Sequence, residues 1–121
     1  MKPFPILLCL MSFFGCKAAD FRSVDADTFA KVIEDTTVVR LDVRTANEYA
    51  QGHIPNALLI DVTQADFIQK AEQLLPKDKT IALYCRSGRR SKNAAMQLAQ
   101  HGYQVVELNT GFNSWKGEIE R

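Results

Sequence analysis

Cysteine is scarce in this chain. There are three in 121 residues, and two of them, Cys9 and Cys16, lie within the first sixteen positions. Beyond residue 19 only Cys85 remains, so the domain that follows cannot form an internal disulfide. A single thiol in such a domain points to reactivity, not to a structural staple. It also has no companion to resolve an oxidised state. Net charge is equally sparse: the formal value is +1 at pH 7. Nothing global draws the chain to nucleic acid. No repeat, low-complexity tract or linker interrupts residues 20–121, which leaves room for one domain. The apolar run Ile6 to Gly15 is too short to span a bilayer as a mature helix.

What the first residues do contain is a leader pattern. Met1-Lys2 is positive, an apolar run follows, and no acidic residue precedes Asp20. Two exits are open. Ala18-Ala19 suits ordinary secretory cleavage. Phe13-Phe14-Gly15-Cys16 resembles the lipobox of bacterial lipoproteins, in which the cysteine is lipidated and becomes the mature N-terminus. Gly15 suits that motif, whereas Phe13 stands where an aliphatic residue is usual. Cys16 has no other explanation, and that favours lipidation. The expectation is a leader over 1–19 and a domain over 20–121. The protein would be exported, either periplasmic or a membrane-anchored lipoprotein.

Within the domain, strand and helix patterns alternate. Phe21 to Val24 reads as a short strand and Asp25 to Ile33 as a helix with acidic residues in its first turn. Val38 to Val43 is a β-branched strand. A polar stretch, Arg44 to Pro55, carries one helical turn over Ala46 to Tyr49. Ala57 to Ile60 is a strand, and Asp66 to Leu75 a helix turning Phe67, Ile68, Ala71, Leu74 and Leu75 inward before Pro76 stops it. Thr80 to Tyr84 is a strand. Ser91 to Gln100 is a helix, with Gly102 as its C-terminal cap. Gln104 to Leu108 is the last strand, and Gly111 opens a final turn through Trp115. This alternation predicts an α/β domain with a mainly parallel sheet. Sites in such sheets form where strand C-termini meet the next loop.

Cys85 stands at such a place, in T-I-A-L-Y-C-R-S-G-R-R-S, Thr80 to Ser91. The apolar run delivers it to the sheet edge. Ser87 and Gly88 permit a tight turn with inward N–H groups. Arg86, Arg89 and Arg90 add positive charge. Cations and a helix N-terminus favour the thiolate, the reactive form of cysteine. Lys92 reads as surface, His101 as an exposed helix end, and Trp115 as core.

The loop C-R-S-G-R-R, Cys85 to Arg90, resembles the active loop of rhodanese-like domains: Cys, two residues, Gly, one residue, Arg. The segment L-D-V-R-T-A-N-E-Y-A-Q-G-H-I-P-N-A, Leu41 to Ala57, is similar to a second signature of that family. The ending L-N-T-G-F-N-S-W is similar to a third, with Thr110 where a first Gly is common. The resemblance implies a single domain with a mainly parallel five-stranded sheet flanked by helices. It implies a sulfurtransferase that moves a sulfane sulfur from a donor such as thiosulfate, through a persulfide on Cys85, to a thiol or cyanide. No metal or organic cofactor is needed, and the expected state is a monomer.

By position in the motif, Arg90 holds the donor's oxyanion, while Arg86 and Arg89 sit nearer the mouth. Ser87 and Ser91 donate to the outer sulfur, or Ser91 caps the helix. Asp42, Arg44 and Glu48 brace the surrounding loops, and His53 belongs to the Gly-His-Ile-Pro turn. Three other functions compete: a persulfide carrier or binding module for one protein partner, a phosphatase, and an arsenate reductase. The phosphatases that resemble this family have one more residue between Cys and Arg, room for a tetrahedral phosphate. Only four residues separate Cys85 from Arg90.

Overall fold

The computed structural model describes residues 20–121; the leader and the candidate lipidation site Cys16 lie outside the described residues. Five strands form one sheet: β1 (Arg22–Val24), β2 (Val39–Asp42), β3 (Leu58–Leu59), β4 (Ile81–Tyr84) and β5 (Val105–Leu108). Their order is β1-β5-β4-β2-β3, and every pairing is parallel. The helices are α1 (Ala26–Val32), α2 (Ala46–Gln51), α3 (Phe67–Leu74) and α4 (Arg89–Gln100), followed by a short 3₁₀ turn over Phe112–Ser114. The expected architecture, a parallel five-stranded sheet flanked by helices, is what the chain adopts.

Strand β4 is central and buried along its whole length. Its side chains alternate between two cores, as strand geometry requires. Ile81, Leu83 and Cys85 join Leu41, Val43, Phe67, Ala71, Ala94 and Leu98 on the α3/α4 side. Ala82 and Tyr84 join Phe29, Ile33, Val106 and Leu108 on the α1 side. A strand covered on both faces needs an unbroken apolar run, and Ile81 to Tyr84 supplies one.

The observed elements depart from the expected ones in two places. Leu74 is 57% exposed, not inward-facing. Phe67, Ala71 and Leu75 follow one another at four-residue steps along the buried stripe, and Leu75 leaves the helix in extended conformation at its end. Leu74 is the last residue of the helix and lies at the margin of that stripe, exposed where the element ends. Helix α4 begins at Arg89, two residues before the expected Ser91. Its N-cap is Gly88, which has no side chain to announce the start.

Register fixes the site. Asp42 on β2 pairs with Tyr84 on β4, so the residues after both strands leave the sheet side by side at its C-terminal edge. At the opposite edge a larger cavity of about 580 Å³ is lined by Phe21, Thr80, Tyr103 and Gln104.

Candidate active site

Cys85 is 1% exposed and follows directly from β4. The chain then turns through Gly88, at φ +103, into α4. A Cβ at Gly88 would lie 2.0 Å from the Asn109 carbonyl oxygen, so only glycine lets the loop close against the segment after β5. In that conformation the Gly88 N–H donates to Cys85 Sγ at 3.1 Å. Ser91 Oγ stands 3.4 Å from the same sulfur. Burial pushes the thiol up, but the hydrogen bond shared with the Ser91 hydroxyl and those from the N–H groups of Ser91, Gly88 and Ser87 outweigh it. The net direction is down. The N-terminus of α4 points the positive end of its dipole at the same place.

Ser91 is the third residue of α4, so it cannot be the cap that was one of its two expected roles. Its hydroxyl is buried and donates to Glu107 Oε2 at 2.5 Å. Glu107, on β5, is wholly buried. Its other oxygen accepts from Ser23 Oγ at 2.6 Å, and Lys92 Nζ reaches Oε2 at 3.2 Å. Lys92 is therefore more than a surface charge. Its ammonium also contacts Gly88 O at 3.1 Å and both oxygens of Asn109, the backbone one at 3.2 Å and Oδ1 at 3.1 Å. It clamps the residue that donates to the sulfur. Sequence reasoning missed Glu107. Its only signal was a charged residue inside the apolar run Val105–Leu108.

Arg90 was expected to hold an oxyanion. Its two Nη atoms are both on Glu48, at 2.8 and 2.9 Å, so its fork faces a carboxylate instead of open space. Glu48 in turn closes a capping box with Thr45 at the start of α2. The Arg90 bond, with help from Thr45, outweighs burial and holds the Glu48 carboxyl down at about 2. The pair thus joins α2 to the active loop. Arg86 is mostly exposed, with Nη1 3.7 Å from Glu48 Oε2. Arg89 is exposed, and so is the side chain of Ser87, which was expected to donate to the outer sulfur.

Asp42 and Arg44 form a buried ion pair at 2.7 Å. Arg44 Nε also bonds Asp42, and Nη2 bonds the Gly52 carbonyl at 2.7 Å. The guanidinium lies 4.4 Å above the Phe112 ring. His53 stacks on Tyr49 with centroids 3.7 Å apart and bonds the Tyr49 carbonyl through Nδ1. Its backbone pairs with Glu120.

The segment after β5 is the site's other wall. Phe112 N–H donates to Cys85 O at 2.8 Å, and Asn113 N–H to Arg86 O at 3.0 Å. Gly111 sits at φ +70, where a Cβ would meet Arg86 O at 2.4 Å. Thr110 is not at positive φ, so a side chain costs nothing there. Among the described residues, no group of His, Cys, Asp or Glu is placed to hold a metal ion.

The chain matches the rhodanese-like domain family over residues 25–118. It is 38% identical over 94 residues to a sulfurtransferase of Allochromatium vinosum, covering 76% of this chain and 85% of that one. A thiosulfate sulfurtransferase, GlpE, of Coxiella burnetii is 30% identical over 87 residues, covering 71% and 78%. The crystal structure of a rhodanese-like domain protein from Staphylococcus aureus superposes with a TM-score of 0.71 at 31% identity, covering 83% of this chain and 97% of that one. With the family match over most of its length and relatives at this identity, the chain belongs to the rhodanese-like domain family.

Proposed function

We propose that the protein transfers sulfane sulfur through a persulfide on Cys85, with thiosulfate as donor and cyanide or a thiol as acceptor. The observation that carries this reading is the cradle around Sγ. It joins the Gly88 N–H at 3.1 Å, Ser91 at 3.4 Å and the start of α4. The cradle favours a thiolate and suits one added sulfur. In the first step the thiolate attacks the sulfane sulfur of thiosulfate. A bond forms from Sγ to that sulfur, the donor's S–S bond breaks, and sulfite leaves with the electron pair. In the second step the acceptor attacks the outer sulfur. The Sγ–S bond breaks and its pair returns to Cys85 as thiolate. No external oxidant or reductant enters the cycle. The similarity to the GlpE thiosulfate sulfurtransferase supports thiosulfate as the donor. Only four residues separate Cys85 from Arg90, which favours a sulfur atom over a phosphate.

Intact mass measures the first step directly. Thiosulfate should add one sulfur atom to the wild-type protein, and cyanide should remove it as thiocyanate. Cys85→Ser should do neither. Thiocyanate production by that variant at the wild-type rate overturns the proposal.

A further inference from the structure

A cavity of about 180 Å³ opens beside the active loop, lined by Arg44, Glu48, Gln51, Gly52, Arg86, Phe112 and Asn113. Two of its walls are tied to the nucleophile's own backbone. Phe112 N–H bonds Cys85 O, and Asn113 N–H bonds Arg86 O. The Arg44 side chain is 4% exposed, yet its guanidinium is not fully used. Nε and Nη2 bond Asp42 and the Gly52 carbonyl, while Nη1 has no hydrogen-bond partner among the described residues. Among the described residues, no side-chain nitrogen that is sealed from solvent lacks a partner. Nη1 is therefore not sealed from solvent, and the open space that Arg44 lines is this cavity. Its ring-like stack on Phe112, 4.4 Å away, holds the guanidinium in this orientation.

The charge balance around the cavity is positive. Arg44 is matched by Asp42, and Arg90 by Glu48. Arg86, 62% exposed at the rim, is left with only the 3.7 Å approach to the already paired Glu48. Three guanidinium groups face two carboxylates. A buried N–H donor, a rim cation and the side-chain amides of Gln51 and Asn113 make a site for a small oxyanion. At about 30 Å³ per water, the volume holds roughly six waters, enough for a carboxylate with a short carbon arm.

Resting on the persulfide reading above, we infer that this cavity is an acceptor subsite. It selects small thiols that carry a carboxylate, held by Arg44 Nη1 and Arg86. The acceptor's thiolate then meets the outer sulfur of Cys85. A new S–S bond forms to that sulfur, the Sγ–S bond breaks, and its electron pair stays on Sγ. The products are the acceptor persulfide and the Cys85 thiolate.

Single-turnover discharge tests this. The persulfide is formed on the full domain with thiosulfate and verified by mass, then mixed with mercaptopropionate or with its neutral amide. The two probes differ only at the end that would enter the cavity. The wild type should discharge to the carboxylate at least about tenfold faster than to the amide at equal thiolate concentration, one decade per ~1.4 kcal/mol. Gln51 is exposed at the end of α2, and Gln51→Glu, which brings a negative charge to the cavity, should erase that ratio. Arg44→Lys should also erase it where the protein still folds. A persulfide that never forms sinks the underlying function instead. Equal wild-type rates with the two probes, or a ratio that survives Gln51→Glu, overturn the subsite. If the ratio survives and Gln51→Glu instead raises KM for thiosulfate with cyanide as acceptor, the cavity holds the donor's oxyanion, and the acceptor assignment is wrong.

Discussion

Ser91 has one hydroxyl hydrogen and two claimants, Cys85 Sγ at 3.4 Å and Glu107 Oε2 at 2.5 Å. With the hydrogen on Glu107, Ser91 offers the sulfur an acceptor and favours the thiol. With the hydrogen on sulfur, it favours the thiolate. Glu107 also brings a buried negative charge close behind the nucleophile. Replacing it by Gln removes the charge and supplies an amide that can donate to Ser91 Oγ, freeing the hydrogen for sulfur. Glu107→Gln is therefore expected to move the pH profile of Cys85 alkylation to lower pH. The thiolate is the reacting form, so the rising limb begins earlier. In a Ser91→Ala background the same change should shift the profile less. A Glu107→Gln profile that coincides with the wild type, or moves to higher pH, removes Glu107 from this role. Cys85 was legible from its loop because cations and turn residues announce it in sequence. Glu107 was not, because its partners come from two distant segments, Ser23 on β1 and Ser91 with Lys92 on α4, that only the fold brings to it.

Helix α2 has six residues, too few to persist alone. It is held by the Glu48–Arg90 fork to the first turn of α4. The fold lowers the Glu48 carboxyl from 4.5 to about 2. A depressed carboxylate stabilises the folded state above its unfolded value and loses that contribution as pH falls. The window here runs from about 4.5 down to about 2. At ~1.4 kcal/mol per unit the ceiling is about 3 kcal/mol, and partial exposure reduces it to about 1–2 kcal/mol. Urea unfolding should show Glu48→Gln destabilised by that amount at pH 7, with the two proteins converging near pH 2. Parallel pH curves for wild type and variant would mean that the fork contributes nothing. The sequence showed the helical turn and the Glu, but not their partner. Arg90 reads as an anion binder in the motif, and its distance in sequence from Glu48 hides the pairing. The start of α4 was misplaced for a related reason. Gly88 caps it by backbone conformation alone, without the side-chain oxygen that usually marks a helix N-terminus.

At the scale of the molecule, an all-parallel sheet gives the domain two unlike ends. Chain entry at Asp20 and the first strand lie together at the N-terminal edge, because β1 runs parallel to β5 and β5 to β4. Cys85 lies at the C-terminal edge. A four-residue strand is roughly 13 Å long, so the nucleophile and the entry point are separated by about the length of a strand. We propose that Cys16 is lipidated and that the domain hangs from a membrane by this N-terminal edge, with its active loop turned outward. Among the described residues, those around Cys85 come from β1, β2, α2, β4, α4 and β5 with the segments that follow them. The tether is then independent of the chemistry. Expressed from the full gene in a bacterial host, Cys16→Ser should lose the processed lipoprotein and its place in the washed membrane fraction. The domain 20–121, purified without the leader, should form and discharge the Cys85 persulfide at the rate of the detergent-solubilised wild type, within about twofold. If Cys16→Ser is processed normally after Ala19 and wild type is already free in the periplasm, there is no lipid anchor. If the isolated domain folds but its persulfide discharges tenfold slower, the leader contributes to the site, and the separation of the two ends is wrong.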